Sequence, residues 1–271
     1  MEPSTGTPLL TVEGLRVVFP SRRTGFNRAE PFVAVDDVSL SIRPGETLGI
    51  VGESGSGKST LGRAVLGLVP PAAGIVRFNG QDLASVRGRP ARSLRAGMQM
   101  IFQDPVSSMN PRMRVEGIVT EPLVVHGQGG SRDERRAQAA ALLEQCGMPA
   151  ESLDRYPHQF SGGQRQRSAI ARALALSPKL IVCDEPTSAL DVSIQAHVIN
   201  LLQDLQDELG IAYLFISHDM AVVSHICDRV AVMRRGAIVE SGPTRRVIDE
   251  PEHAYTRSLI EAVPRLRRDA C

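Results

Sequence analysis

The chain has 271 residues, 42% of them hydrophobic, and sets 31 Lys and Arg against 30 Asp and Glu for a formal charge of +1. Such a length and core supply suit one extended α/β domain with an inserted subdomain, and the balanced charge offers no basic field for nucleic acid or anionic lipid. Cys146, Cys183, Cys227 and Cys271 show no C-x-x-C spacing, so neither a disulfide framework nor a zinc site is expected, and a reducing cytoplasm fits.

Residues 1–10 lack the basic start and apolar centre of a secretory leader, and no uncharged apolar run approaches the roughly 20 residues that cross a bilayer. A membrane role would come through partners. Residues 9–19 and 32–42 alternate apolar and polar side chains around an inserted Pro/Arg/Gly-containing connection, and read as strands of an antiparallel layer. Phe19 ends the first strand, where a ring can stack on adenine; an ordinary core or edge aromatic is the alternative reading.

The run Thr47-Leu48-Gly49-Ile50-Val51 leads into Gly52-Glu53-Ser54-Gly55-Ser56-Gly57-Lys58-Ser59, and residues 61–68 leave it at helical spacing. Strand, glycine loop and helix are the context in which G-x-x-x-x-G-K-[ST] holds a nucleotide. The glycines let backbone N–H groups turn in around phosphate, and the helix start adds its positive end. We assign Gly52 through Thr60 to the nucleotide, with Lys58 on the β- and γ-phosphates and the Ser59 hydroxyl on Mg²⁺.

Residues 74–78 with Asn79-Gly80 read as a strand and tight turn, and residues 98–102 as a buried strand ending at Gln103-Asp104-Pro105. An amide at that strand end can touch Mg²⁺ and an attacking water; alone, Gln103 would read as a surface residue, and the neighbouring motifs give it weight. From 112 to 156 the strand pattern gives way to helical spacing, as in Val115, Ile118, Val119 and Ala139, Leu142, Leu143. Ser131 and Glu134 make a capping-box pattern after the break at residues 127–130. A helical subdomain over about 104–176 follows.

Within it, Ser161-Gly162-Gly163-Gln164 opens an Ala/Leu-rich helix, which is either a second anion cradle or a capped helix start. Residues 180–183 are continuously apolar and deliver Asp184 and Glu185. Alternation along an extended chain predicts that Asp184 holds the Mg²⁺ shell while Glu185 faces the attacking water as base. Cys183 reads as inert core. Ser188-Ala189-Leu190-Asp191 precedes a helix over 193–209, and a second buried strand, 212–216, ends at Ser217-His218-Asp219, with His218 placed to meet a γ-phosphate. Residues 229–232 and 237–239 form a closing hairpin, and the basic run 265–268 reads as solvated.

These signals define an α/β fold: a P-loop NTPase core with a mainly parallel sheet, an N-terminal antiparallel β layer and an inserted helical subdomain. In their order, the phosphate loop, the Gln103 loop, Ser161-Gly162-Gly163-Gln164-Arg165, the strand 180–185, residues 188–191 and His218 resemble the ATP-binding subunits of ABC transporters. The resemblance runs from about residue 9 to 264, within an ATP-binding domain of 1–264, and leaves 265–271 as a short tail. Residues 102–112 (Phe102-Gln103-Asp104-Pro105 to Asn110-Pro111-Arg112), residues 190–195 and His253-Ala254-Tyr255-Thr256-Arg257 are similar to the oligopeptide, dipeptide and nickel import branch, with Ala254 where that branch has proline.

The resemblance implies an ATPase using ATP and Mg²⁺. It further implies a head-to-tail dimer, homomeric or with a related subunit, in which the Lys58 loop of one subunit and the Ser161 to Gln164 cradle of the other sandwich each ATP. Asp191 belongs to the same nucleotide interface. Work at the cytoplasmic face of the membrane with transmembrane permease subunits is expected, the helical subdomain receiving them and an extracytoplasmic solute-binding protein acting indirectly; nucleic acid is not a partner. Because the chain ends at Cys271, no iron–sulfur cluster is expected. Two rivals stand beside this: an ABC-type ATPase of a soluble complex such as the carbon-phosphorus lyase system, and a P-loop kinase, which leaves the Ser161 cradle unexplained. The cargo is not legible in the sequence.

Overall fold

The computed structural model describes residues 7–20, 30–105, 109–188 and 190–262. Tail residues 265–271 with their basic run and Cys271, residues 106–108 of the Gln103 loop, and Ala189 lie outside the described residues.

The alternating segments form the expected antiparallel layer. β1 (Leu10–Phe19) pairs with β2 (Phe32–Ile42), Leu10 opposite Ile42 and Phe19 opposite Phe32. β1 also pairs with β4 (Ala73–Phe78), which turns through Asn79 and Gly80 into β5 (Gln81–Asp82). The β1–β2 register shifts between Val12 and Leu15 at Gly14, whose N–H donates to Ser39 Oγ at 2.9 Å. The simple alternation is broken there.

The second sheet contains β3 (Thr47–Val51), β6 (Met98–Ile101), β7 (Leu180–Asp184), β8 (Ala212–Ser217), β9 (Arg229–Arg234) and β10 (Ala237–Pro243). Its order is β10-β9-β3-β8-β7-β6, parallel throughout except for the β9–β10 hairpin. Alternate residues of its central strands enter two different cores. Ile50, Val182, Leu214 and Ile216 pack toward the antiparallel layer and α1 (Lys58–Val65); Val51, Ile181, Cys183, Tyr213 and Phe215 pack on the opposite face. With neither face wet, these strands carry apolar residues on both faces between their ends, which is why they read as nearly uninterrupted runs. Truncating the fully buried Phe215 to Ala would cost about 3–5 kcal/mol.

Between β4 and β6 lies α2 (Arg89–Ala96), which periodicity did not reveal because Ala96 is its sole buried residue. Between β6 and β7 come α3 (Val115–His126), α4 (Arg132–Gln145) and α5 (Gly162–Leu174). Val115, Val119, Ala139 and Leu143 share the second core with Ile170 and Leu174 of α5. Ser131 forms the expected capping box with Glu134. Further along the chain come α6 (Val192–Leu209), α7 (Met220–Ile226), α8 (Thr244–Asp249) and α9 (Ala254–Glu261).

Several boundaries differ from the sequence reading, and β9 and β10 run on to Arg234 and Pro243, past the expected ends at 232 and 239. α1 ends at Val65, with Gly67 left-handed just beyond it, so Leu68 falls outside the helix and is 60% exposed. β6 lies at the sheet edge, and only its end residues Met98 and Ile101 are buried. Among the described residues no helix is long and apolar enough to cross a membrane.

Candidate nucleotide site

β3 sits between β8 and β9, so the loop after it emerges beside the carboxyl ends of both. Gly57 adopts φ 106, and a Cβ there would collide with the Ala34 carbonyl oxygen; one on Gly52 would collide with that of Met233. The loop is therefore wedged between β2 and the end of β9, where only glycine fits. No side chain caps α1, which leaves its first-turn N–H groups open to an anion.

Lys58 is 4% exposed and donates from Nζ to the carbonyls of Gly52 at 2.7 Å and Glu53 at 2.8 Å. Burial pulls its pKa down, against Glu185, Asp184 and Glu53, which favour the cation. Ser59 Oγ donates to Asp184 Oδ1 at 2.7 Å, and Arg63 lies 3.9 Å from Oδ2. Burial raises the Asp184 pKa, opposed by the Ser59 hydrogen bond and by Arg63 and Lys58, while Glu185 adds to the rise. Ser59 and Asp184 are hard oxygen donors of the kind Mg²⁺ takes, and the buried Ser56 hydroxyl has no partner in the structure. Two protein donors suit an ion completed by phosphate and water oxygens, so these residues fit Mg²⁺.

Glu185 lies one residue beyond β7 and takes φ 47, a left-handed conformation that costs a non-glycine residue on the order of 1 kcal/mol. Its N–H donates to the Ile216 carbonyl at 3.0 Å, while its own carbonyl accepts from Ser188 N–H and Oγ. Asp184 and Glu185 thus diverge because a turn intervenes, which corrects the reading of two alternating residues on one extended strand. Glu185 Oε2 accepts from Gln103 Nε2 at 3.1 Å and lies 3.2 Å from His218 Nδ1. Three strand-end residues, from β6, β7 and β8, therefore meet on one carboxylate oxygen.

They face the loop 52–60 across a cleft of about 610 Å³, large enough for a small-molecule ligand. Its other wall holds Phe32, Ala34 and Leu259. Phe19 is 40% exposed at its strand end and is not among the lining residues; its cross-strand partner Phe32, 62% exposed, is. Phe32 and Leu259 escaped the sequence reading. In the sequence, the His253 to Arg257 stretch beside Leu259 is only a mark of resemblance.

Ser161, Gly162, Gly163 and Gln164 lie outside this cleft, at the start of α5. Ser161 Oγ accepts from Gln164 N–H at 3.3 Å and Gln164 Oε1 accepts from Ser161 N–H at 3.1 Å, a reciprocal capping box. A Cβ on Gly163 would lie 2.6 Å from Ile194 Cγ2, and one on Gly162 3.2 Å from Leu190 Cδ2. The structure thus joins the cradle to the segment carrying the exposed Asp191, at the start of α6, and neither lines the cleft of the phosphate loop.

A family profile described as ABC transporter matches residues 35–188, and the chain belongs to that family. A second, the oligopeptide/dipeptide transporter C-terminal region, matches residues 239–270 and puts the chain in the peptide and nickel import branch. The glutathione import ATP-binding protein GsiA of Salmonella paratyphi A (strain ATCC 9150 / SARB42) is 55% identical over 260 residues, covering 96% of this chain and 42% of the relative. GsiA of Escherichia coli (strain K12) is 54% identical over the same shares. The chain spans less than half the length of these relatives. Among solved structures, the ATP-binding cassette MJ0796, a dimer in a post-hydrolysis state bound to ADP and Pi, superposes with a TM-score of 0.76 at 29% identity, covering 87% of this chain and 99% of that one. The cbiO1 protein of Clostridium perfringens, part of the ABC transporter complex cbiONQ, gives 0.76 and 29% over 95% and 96%.

Proposed function

We propose that this chain is the ATP-hydrolysing motor subunit of an importer for oligopeptides, dipeptides or a related small solute such as a nickel chelate. The observation that carries the reading is the convergence of Gln103 and His218 on the Glu185 carboxylate, opposite the phosphate loop. Phosphate oxygens would take the remaining N–H donor of Lys58, beside the Gly52 and Glu53 carbonyls that hold it, while the open N–H groups of α1 surround them. Ser59 Oγ and the Asp184 carboxylate would hold Mg²⁺, which when bound neutralises phosphate charge. Glu185 takes a proton from the attacking water as general base; Gln103 and His218 orient its carboxylate and reach toward the γ-phosphate.

Ser161 to Gln164, set apart from the cleft in its own chain, fits a nucleotide held by another subunit's loop. This favours a head-to-tail dimer, of two copies or with a related subunit, whose closing on ATP and opening after hydrolysis drive transport. Residues 104–176, with Val124 and Val125 exposed on α3, would receive the permease subunits at the cytoplasmic face, and a solute-binding protein would act through them. The relatives are named for glutathione, itself a small peptide.

Tagged protein recovered from detergent-solubilised membranes tests the assignment. Membrane-spanning permease polypeptides should accompany it, and nucleotide turnover should rise in that complex. Recovery with soluble enzyme subunits alone would move the chain to the soluble-complex class.

A further inference from the structure

α9 belongs to the segment matched by the peptide-transporter C-terminal region, yet it reaches the phosphate loop. Tyr255, 6% exposed, accepts at its hydroxyl a hydrogen bond from the Glu53 N–H at 3.0 Å. That N–H belongs to the Gly52–Glu53 peptide, whose carbonyl accepts from Lys58 Nζ at 2.7 Å. A trans peptide is a rigid plane with its N–H and C=O pointing opposite ways, so fixing one edge on Tyr255 fixes the direction of the other. Tyr255 and Lys58 thus grip the two edges of one peptide group.

Tyr255 is itself held from several sides. The Arg234 guanidinium lies 4.7 Å from its ring centroid, and its N–H donates to His253 Nδ1 at 3.1 Å. The Glu240 carboxylate accepts from the N–H groups of Glu252 at 2.9 Å and His253 at 3.0 Å, tying the start of α9 to β10. One turn further, Leu259 lines the nucleotide cleft.

We propose that Tyr255 is a positioning residue through which the C-terminal helix sets the Gly52–Glu53 peptide, and with it Lys58, for nucleotide binding. The inference rests on the nucleotide-site reading of the loop. The Tyr255 hydroxyl sits on the edge of the peptide away from Lys58, and its action on phosphate passes through that lysine. Any partner that shifts α9 would then change nucleotide affinity without entering the cleft.

Tyr255→Phe removes the hydroxyl and keeps the ring beside Arg234. In equilibrium titrations with Mg-ATP, loss of this one hydrogen bond should weaken binding by about three- to tenfold. The rise should appear in KM, with kcat changed by less than about twofold. In a Lys58→Ala background the same substitution should change affinity by less than about twofold, because the group through which Tyr255 acts is gone. Equal affinity of Tyr255→Phe and the parent protein, or an equal loss in both backgrounds, overturns the proposal. Parent-like affinity in Lys58→Ala alone would instead overturn the nucleotide-site reading, which keeps the two failures distinct.

Discussion

The starts of α1 and α5 are built from the same small vocabulary of serine and glycine, and they are finished in opposite ways. α1 has no side-chain cap; its Lys58 and Ser59 are oriented by the Gly52 and Glu53 carbonyls and by Asp184, 125 residues further along the chain. α5 closes on itself through Ser161 and Gln164, both of them exposed. A helix start becomes a binding site when distant strands bring charge and metal donors to it, while a self-capped start supplies only backbone donors to whatever docks there. On the proposed function, one is a nearly complete site and the other is half of one.

The sharpest way to break this contrast is at Glu185. Glu185→Gln keeps the shape and removes the base, so turnover should fall by about 10² to 10⁴ while ATP affinity holds or tightens as repulsion from the γ-phosphate is relieved. A stable ATP-dependent dimer should then appear on size-exclusion chromatography. Turnover near that of the parent protein would remove Glu185 from the mechanism.

At the complete site, Lys58→Ala deletes the cation beside the β- and γ-phosphates and should weaken ATP binding at least about tenfold, near 1.4 kcal/mol, by equilibrium titration. At the half-site, Ser161→Arg fills the cradle and should lower turnover comparably while ATP binding by the isolated subunit stays within about twofold. Ser161→Ala should give a smaller loss of the same kind. If Ser161→Arg impaired binding by the isolated subunit as badly as Lys58→Ala, the two helix starts would serve one nucleotide in one chain.

The smallest effect concerns Asp184. Its pKa is raised on folding, chiefly by burial, so its contribution to stability is present below the ordinary carboxylate range and is lost as pH rises through the raised value. Asp184→Asn should therefore raise the thermal midpoint of the nucleotide-free protein at pH 7.5 by about 1–3 °C, and by less at pH 5. Metal-dependent ATP binding should weaken in the same variant. A lowered midpoint at pH 7.5 would show that the carboxylate stabilises the empty site.

The sequence by itself determined the features whose cause lies within a few residues. Strand, glycine loop and helix at 47–65, the capping pair of Ser131 and Glu134, and the apolar strands that end at Asp184 and Ser217 are all local patterns. Tertiary structure alone decided which distant residues share the cleft. Strand order, which no local period encodes, brings Gln103, Glu185 and His218 to one oxygen and sets Tyr255 against Glu53 across 202 residues. Cross-strand register sets Phe32 rather than Phe19 on the cleft wall, and a left-handed turn, invisible to an alternation argument, separates Glu185 from Asp184. Those choices follow from how two sheets and their helices bury apolar faces together, a property of the whole chain rather than of any stretch of it.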